Sequence, residues 1–217
     1  MTQPFDIRDL GANVAYAAAL AWQEELLATR ASGVSQRDTL LLLEHAPVYT
    51  LGRSANPANV LPARDPSIEI ATTSRGGDVT YHGPGQLVGY PILHLRQRNL
   101  LLLEYIRLLE ETLIQTLACF GIAGARDSRN RGVWVGNDKI AAIGVRVSRG
   151  VSMHGFALNV NPDMNHFSGI IPCGIANAGV TSMQKLLGRA VLMDDVKKEY
   201  ANVFRAFFDV SNINQTS

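Results

Sequence analysis

Residues Val133–Val160 read VWVGNDKIAAIGVRVSRGVSMHGFALNV, and the order of residue types in them is that of a β-sheet. Val133–Val135, Lys139–Val147 and Ser152–Val160 are rich in β-branched and apolar residues and read as strands. Gly136-Asn137-Asp138 between the first two is a hairpin-type turn. Working towards the N-terminus, Leu100–Phe120 is the clearest helix. Leu102, Tyr105, Ile106, Leu109, Leu113, Thr116, Leu117 and Phe120 form one stripe, Glu104, Arg107, Glu110 and Glu111 take the other face, and Gly121 stops it. A second helix runs from about Asp194 to Phe208, with Val196, Tyr200, Val203, Phe204 and Phe207 inward. A third covers Asn13–Arg30, its periodic residues being Val14, Ala17, Ala18, Ala21, Trp22, Glu25 and Leu26, with Asn13 available as a cap. Arg37–Glu44 suits a buried strand, Ser67–Ala71 and Asp78–Tyr81 alternate like short strands, and Leu87–Leu95 is strand-like after the turn Gly83-Pro84-Gly85. Gly52–Pro66, with three prolines, is a loop. Helices flanking mostly consecutive strands predict an α+β fold in one domain, residues 1–217.

The chain has 217 residues, 47% hydrophobic and 18% charged, with a net charge of +1. That balance describes a globular protein with a sizeable core and argues against one that coats nucleic acid or an anionic membrane. Arg126–Arg149 is locally basic, net +4, which suits either a solvated strand edge or a surface for an acidic protein partner. No apolar run approaches the roughly 20 residues needed to cross a bilayer. The first residues lack the basic-then-apolar order of a signal peptide, so a reducing cytoplasm is expected. Two cysteines make no disulfide framework. Cys119 lies beside the stripe of the Leu100–Phe120 helix and reads as a packing thiol.

Chemistry is concentrated elsewhere. Arg75-Gly76-Gly77-Asp78-Val79-Thr80-Tyr81-His82-Gly83-Pro84-Gly85-Gln86 has neither P-loop nor dinucleotide-fingerprint spacing, but offers backbone that a ligand can approach closely. The five histidines have no metal-ligand spacing, and no metal is expected. His82 and His154 each precede a glycine, where acid–base, orienting or merely structural roles are open. Cys173, in Ile171-Pro172-Cys173-Gly174-Ile175, becomes a useful nucleophile only if a cation lowers its pKa. Lys139 opens the apolar strand Ile140–Val145, and taken alone reads as a lysine reaching for solvent.

Taken together, Glu44–Gly52, Arg75–Gln86, Lys139–Gly144, His154–Asn159 and Ile171–Ile175 resemble, in order and spacing, the lipoyl(octanoyl) transferases, roughly from residue 10 to 205. Ala46 stands where many relatives carry proline. The resemblance implies a mixed β-sheet flanked by helices, similar to the catalytic domain of lipoate- and biotin-protein ligases. It implies transfer of an octanoyl group from acyl carrier protein to a lysine of lipoyl domains, those of 2-oxoacid dehydrogenase E2 subunits and of the glycine cleavage H protein. Cys173 then falls on the nucleophile and Lys139 on the lysine that lowers its pKa. Arg75, Gly76, Gly77, Asp78, Val79, Thr80, Tyr81, His82, Ala142, Ile143, Gly144, Gly155, Phe156 and Ala157 fall on the acyl-binding segments, with His154 as an accessory group. Val79, Tyr81, Ile143, Gly144, Phe156 and Ala157 are expected to line an apolar slot. No cofactor is expected, and a monomer is the default. The competing expectations are an ATP-dependent lipoate or biotin ligase on the same fold, which needs no thiol, and a non-catalytic carrier-binding protein.

Overall fold

The computed structural model describes residues 5–171 and 179–209. Among them the larger of two sheets contains β1 (Phe5–Asp9), β2 (Asp38–Leu43), β6 (Gln86–Ile92), β9 (Val151–Asn159), β8 (Asp138–Ser148) and β10 (Gly179–Val180) in that spatial order, with β7 (Gly132–Val135) also paired to β8. Its β1–β2 and β8–β10 pairs are parallel and its other pairs antiparallel. A smaller sheet has β3 (Val48–Leu51) between β4 (Glu69–Thr72) and β5 (Val79–His82). The helices are α1 (Tyr16–Ala31), α2 (Leu102–Cys119), the short α3 (Met183–Leu187) and α4 (Met193–Phe208). This is the mixed, helix-flanked α+β arrangement that the sequence predicts.

Strand β2 shows how the sequence sorts the layers. Its four consecutive leucines are all buried, because both faces of the sheet are covered. Leu40 and Leu42 join Leu109, Leu113, Tyr200 and Phe204 of α2 and α4 in the main core. Leu41 and Leu43 point the other way, to a cluster with Ala19 of α1, Val88, Tyr90 and Ala157. The functional cleft opens on this second face.

Several features depart from the periodicity reading. In α1 the inward residues are Tyr16, Ala19, Gln23, Leu27 and Arg30, whereas Ala17, Ala21, Trp22 and Glu25 are exposed. The polarity of Gln23 and Arg30 conceals the face, since both are buried only by virtue of hydrogen-bond partners. Asn13 does not cap this helix; it adopts a left-handed conformation (φ 58°), and the N-cap position is Ala15. In α2, Glu110 is buried rather than solvated: its carboxylate accepts from the Gly132 N–H (3.1 Å) and from Arg126 Nε (3.2 Å). Leu102 is exposed, and so is Cys119, which is no packing thiol. Strands β1, β3 and β10 and helix α3 were not marked by their local sequence.

A buried carboxylate ties the sheet to its periphery. Asp38 accepts from Arg30 Nε (2.7 Å), Arg98 Nε (2.5 Å) and the His94 N–H (3.0 Å), with no exposure to solvent. Arg98 also donates to the Phe208 carbonyl (2.6 Å) and covers the Phe5 ring at 4.2 Å, so one anion holds α1, β2 and the end of α4. Removing it leaves two guanidinium groups buried without their anion, which costs about 3–5 kcal/mol. Asp38→Ala is therefore expected to lower the urea unfolding free energy by that amount, and a loss under about 1 kcal/mol would contradict this role.

Candidate active site

Strands β8 and β9 form the floor of a cleft open to solvent, and the segment Arg75–Thr80 forms its roof. Lys139, Ala142, Ile143 and Gly144 come from β8, and His154, Gly155, Phe156 and Ala157 from β9. Arg75, Gly76, Gly77, Asp78, Val79, Thr80 and His82 face them. The close approach of roof and floor demands glycine. A Cβ on Gly144 would lie 2.8 Å from the Gly76 carbonyl oxygen, while the Gly76 N–H bonds the Val145 carbonyl at 3.1 Å. A smaller chamber of about 300 Å³ adjoins the cleft and shares Thr80, Lys139, Ala142 and Ala157 with it.

Three consecutive residues fix the roof from different elements. Thr73 Oγ1 accepts from the Tyr16 hydroxyl (2.8 Å), Ser74 Oγ pairs with His154 Nε2 (3.1 Å), and Arg75 donates to the Thr50 hydroxyl and carbonyl (2.6–3.2 Å). Asp78 closes the far side, accepting from the Asn56 N–H, Asn59 Nδ2 and its neighbour's N–H. His154 is itself unusual: a non-glycine residue inside a strand at φ 58°. Its N–H thereby leaves the ladder and donates to Gln23 Oε1 of α1 (2.8 Å). Strain of this kind persists only where surrounding contacts over-determine it.

Lys139 is buried, and its Nζ donates to the Arg131 carbonyl (3.0 Å) and lies 5.0 Å from the centre of the Trp134 ring. It is not the solvent-reaching lysine that its local sequence suggests. The amide of Gln86 donates to the Tyr81 carbonyl (3.2 Å) and to Asn159 Oδ1 (2.9 Å), so its Oε1 accepts from His82 Nδ1 (2.7 Å). His82 Nε2 consequently carries the lone pair. Burial, with His45 and Arg75 nearby, depresses the His82 pKa to about 3. Burial likewise brings His45 to about 4, and burial with Arg75 and Arg146 brings His154 to about 4. All three rings are neutral at neutral pH.

Every acyl-segment residue expected from the sequence except Tyr81 lines the cleft, although the Val79 side chain packs in the same buried cluster as Tyr81. On β5 alternate side chains face opposite ways, and Tyr81 packs against Tyr49 and Phe167 in a separate cluster beneath the smaller sheet. Cys173 lies outside the described residues. The nearest flanks are Ile171, whose N–H bonds the Asn59 carbonyl (2.8 Å), and Gly179-Val180, paired with Asp138-Lys139. Tyr16, Tyr90 and Asn130 also line the cleft and carried no motif that would have marked them. In the basic stretch, Arg126 is paired with Glu110 and Glu111 and Arg129 with Asp127, while Arg131 and Arg149 are exposed. Among the described residues no His, Cys, Asp and Glu cluster could hold a metal, and no helix is long and apolar enough to cross a membrane.

The sequence pattern of the lipoyl protein ligase A/B catalytic domain matches residues 15–205. The protein is 50% identical to an octanoyltransferase of Geobacter metallireducens over 94% of this chain and 93% of that one. It is also 50% identical to an octanoyltransferase of Gloeobacter violaceus over 91% and 87%. Its fold is similar to a bipartite lipoate protein ligase of Thermoplasma acidophilum (TM-score 0.65, 15% identity, 94% and 84% covered). It is also similar to biotin protein ligase from Aquifex aeolicus (TM-score 0.56, 15% identity, 94% and 72% covered). The chain belongs to the lipoyl protein ligase A/B catalytic domain family. Within it the protein falls among the octanoyltransferases, acyltransferases of protein lipoylation.

The depressed histidine pKa values carry a sign. Below about pH 6.5 the unfolded chain takes up protons at His45, His82 and His154, and the native protein does not until the pH reaches about 4 or lower. Stability is therefore complete above pH 6.5 and falls as the pH drops towards 4, by roughly 1.4 kcal/mol per pH unit for each ring that stays neutral. Urea midpoints at pH 7.5, 6 and 5 are expected to decline steadily. A flat profile across that range would contradict the buried neutral state of these rings.

Proposed function

We propose that the protein transfers an octanoyl group from octanoyl-acyl carrier protein to a lysine of lipoyl domains by way of a thioester on Cys173. The observation that carries this reading is Lys139: a lysine buried at the end of an acyl-sized cleft, beside the strand β10 into which the Cys173 segment leads. An ammonium near a thiol can lower its pKa from about 8.5 to roughly 3.5–7.5. The Cys173 thiolate attacks the octanoyl carbonyl, the carbon–sulfur bond to the phosphopantetheine breaks, and the released thiolate takes up a proton. In the second half the neutral amine of the acceptor lysine attacks the Cys173 thioester. A C–N bond forms, the C–S bond breaks, and the proton lost by nitrogen balances the thiolate that leaves. Thioester exchange is close to isoenergetic and amide formation from a thioester is downhill, so the sequence of steps needs neither nucleotide nor metal.

His82 is a poor choice of general base despite its inward lone pair. A group whose conjugate acid titrates near 3 holds protons too weakly at pH 7. Lys139 is the better placed relay. The acceptors expected are the lipoyl domains of 2-oxoacid dehydrogenase E2 subunits and of the glycine cleavage H protein. Arg131 and Arg149 supply exposed positive charge for an acidic carrier protein. A nucleophilic thiol has to remain reduced, which places the reaction in the cytoplasm. Residues 1–217 are taken to work as one catalytic domain and as a monomer.

Incubation with octanoyl-acyl carrier protein is expected to add one octanoyl group to the intact mass, on Cys173, and Cys173→Ser should lose this thioester adduct. Charging of a lipoyl domain from free octanoate and ATP, unaffected by Cys173→Ser, would overturn the proposal in favour of a ligase. Absence of both adduct and turnover would favour a carrier-binding protein. Lys139→Ala should raise the apparent pKa for iodoacetamide labelling of Cys173 by about one unit or more. An unchanged labelling profile would remove Lys139 from the activation.

A further inference from the structure

The end of the cleft remote from Lys139 is closed by rings. Antiparallel pairing sets Gly155 against Gly144, five positions along β8 from Lys139, and His154 against Val145, one position further. Tyr16 and Tyr90 line the same end: Tyr16 bonds Thr73, whose neighbour Ser74 bonds His154, and the Tyr90 ring meets the His154 ring edge to face. At about 3.4 Å per strand residue, Lys139 and this wall are about 17 Å apart. An extended chain advances about 1.2 Å per bond, one third of a 3.3–3.6 Å backbone residue, so an octanoyl group spans about 9 Å. The lysine side chain and a thioester occupy the remainder.

The hydroxyl groups of both tyrosines are engaged by the protein. His45 Nδ1 must donate to the Val14 carbonyl (2.9 Å), so Nε2 accepts from the Tyr90 hydroxyl (2.7 Å). The Tyr16 hydroxyl is spent on Thr73, and its ring is braced by His45 at 5.4 Å. Tyr16 and Tyr90 are both buried, and burial pushes both phenol pKa values up, so neither carries charge.

We propose that Tyr16 is the specificity-determining residue for acyl-chain length, its ring forming the stop against which the eighth carbon rests. This rests on the acyl-transfer reading above and deepens it. A chain shorter than the slot forfeits burial of a methylene, about 4-fold in kcat/KM per carbon, and a longer one must displace a ring held at both ends.

The test is competition between hexanoyl-, octanoyl-, decanoyl- and dodecanoyl-acyl carrier protein, reading the products on a lipoyl domain by mass. Ratios from one mixture do not depend on how much of a variant is correctly folded. The unmodified protein is expected to favour octanoyl, and Tyr16→Ala to raise the decanoyl-to-octanoyl ratio by about 10-fold or more. Tyr16→Trp, which thickens the wall, should instead raise the hexanoyl-to-octanoyl ratio. Tyr16→Phe, which keeps the ring but removes the Thr73 bond that holds it, should raise the decanoyl-to-octanoyl ratio by less than Tyr16→Ala does. Ratios unchanged in Tyr16→Ala and Tyr16→Trp, with octanoyl transfer intact in the unmodified protein, would overturn the role of Tyr16 alone. Failure of the unmodified protein to transfer octanoyl would remove the reading beneath it as well.

Discussion

Thr73, Ser74 and Arg75 each spend a buried hydrogen bond on a different element, and the cleft exists because of these three bonds. Tyr16 reaches Thr73 from α1, His154 reaches Ser74 from β9, and Thr50 receives Arg75 on β3. Each bond has a net value of only about 1 kcal/mol, but breaking one strands its buried partner at a cost of about 1–3 kcal/mol. The roof is therefore held to both sheets and to a helix. A glycine-rich segment would otherwise be the least constrained part of the chain, and these anchors make it a preorganised wall.

The same constraint explains why α1 is built against the usual pattern. Gln23 lies on the inward face because the His154 N–H, turned out of its ladder, has to be satisfied there. Arg30 lies on that face because Asp38 needs a counter-ion. Both placements trade apolar area for a buried polar bond, and both couple helix position to sheet position. A shift of α1 would move Tyr16 and release the strained backbone at His154 together. Acyl slot and helix docking are in this sense one structure.

These placements mark the limit of what the sequence discloses. Elements with a strong apolar stripe, such as β2, α2 with Leu109, Leu113 and Leu117, and α4 with Val196, Tyr200 and Phe204, announce themselves by period, and these inward residues match. Where a polar residue is buried by pairing, periodicity misleads: it puts Glu110 on the solvent face and leaves Gln23 and Arg30 out of the inward stripe, yet all three are buried. The Arg75–His82 and Lys139–Ala157 segments are legible as site material because the motifs lie in order along the chain. Tyr81 falls away from the cleft since strand alternation turns it to the opposite face from Thr80 and His82. Tyr16, Tyr90 and Asn130 reach the site only through tertiary folding, and no local pattern distinguishes them from core or loop residues.

The account as a whole claims one orientation for the acyl chain: carbonyl beside Lys139, methyl against Tyr16 and Tyr90. A crystal structure of the protein charged with octanoate as its thioester tests this most directly. The account predicts carbon–ring distances of about 4.0–4.5 Å between the terminal methyl and the Tyr16 and Tyr90 rings, with the thioester carbonyl next to Lys139 Nζ. A chain running the opposite way would contradict it. So would one lodged in the surface groove that Glu104, Leu108 and Glu111 of α2 line with Leu100 and Arg126.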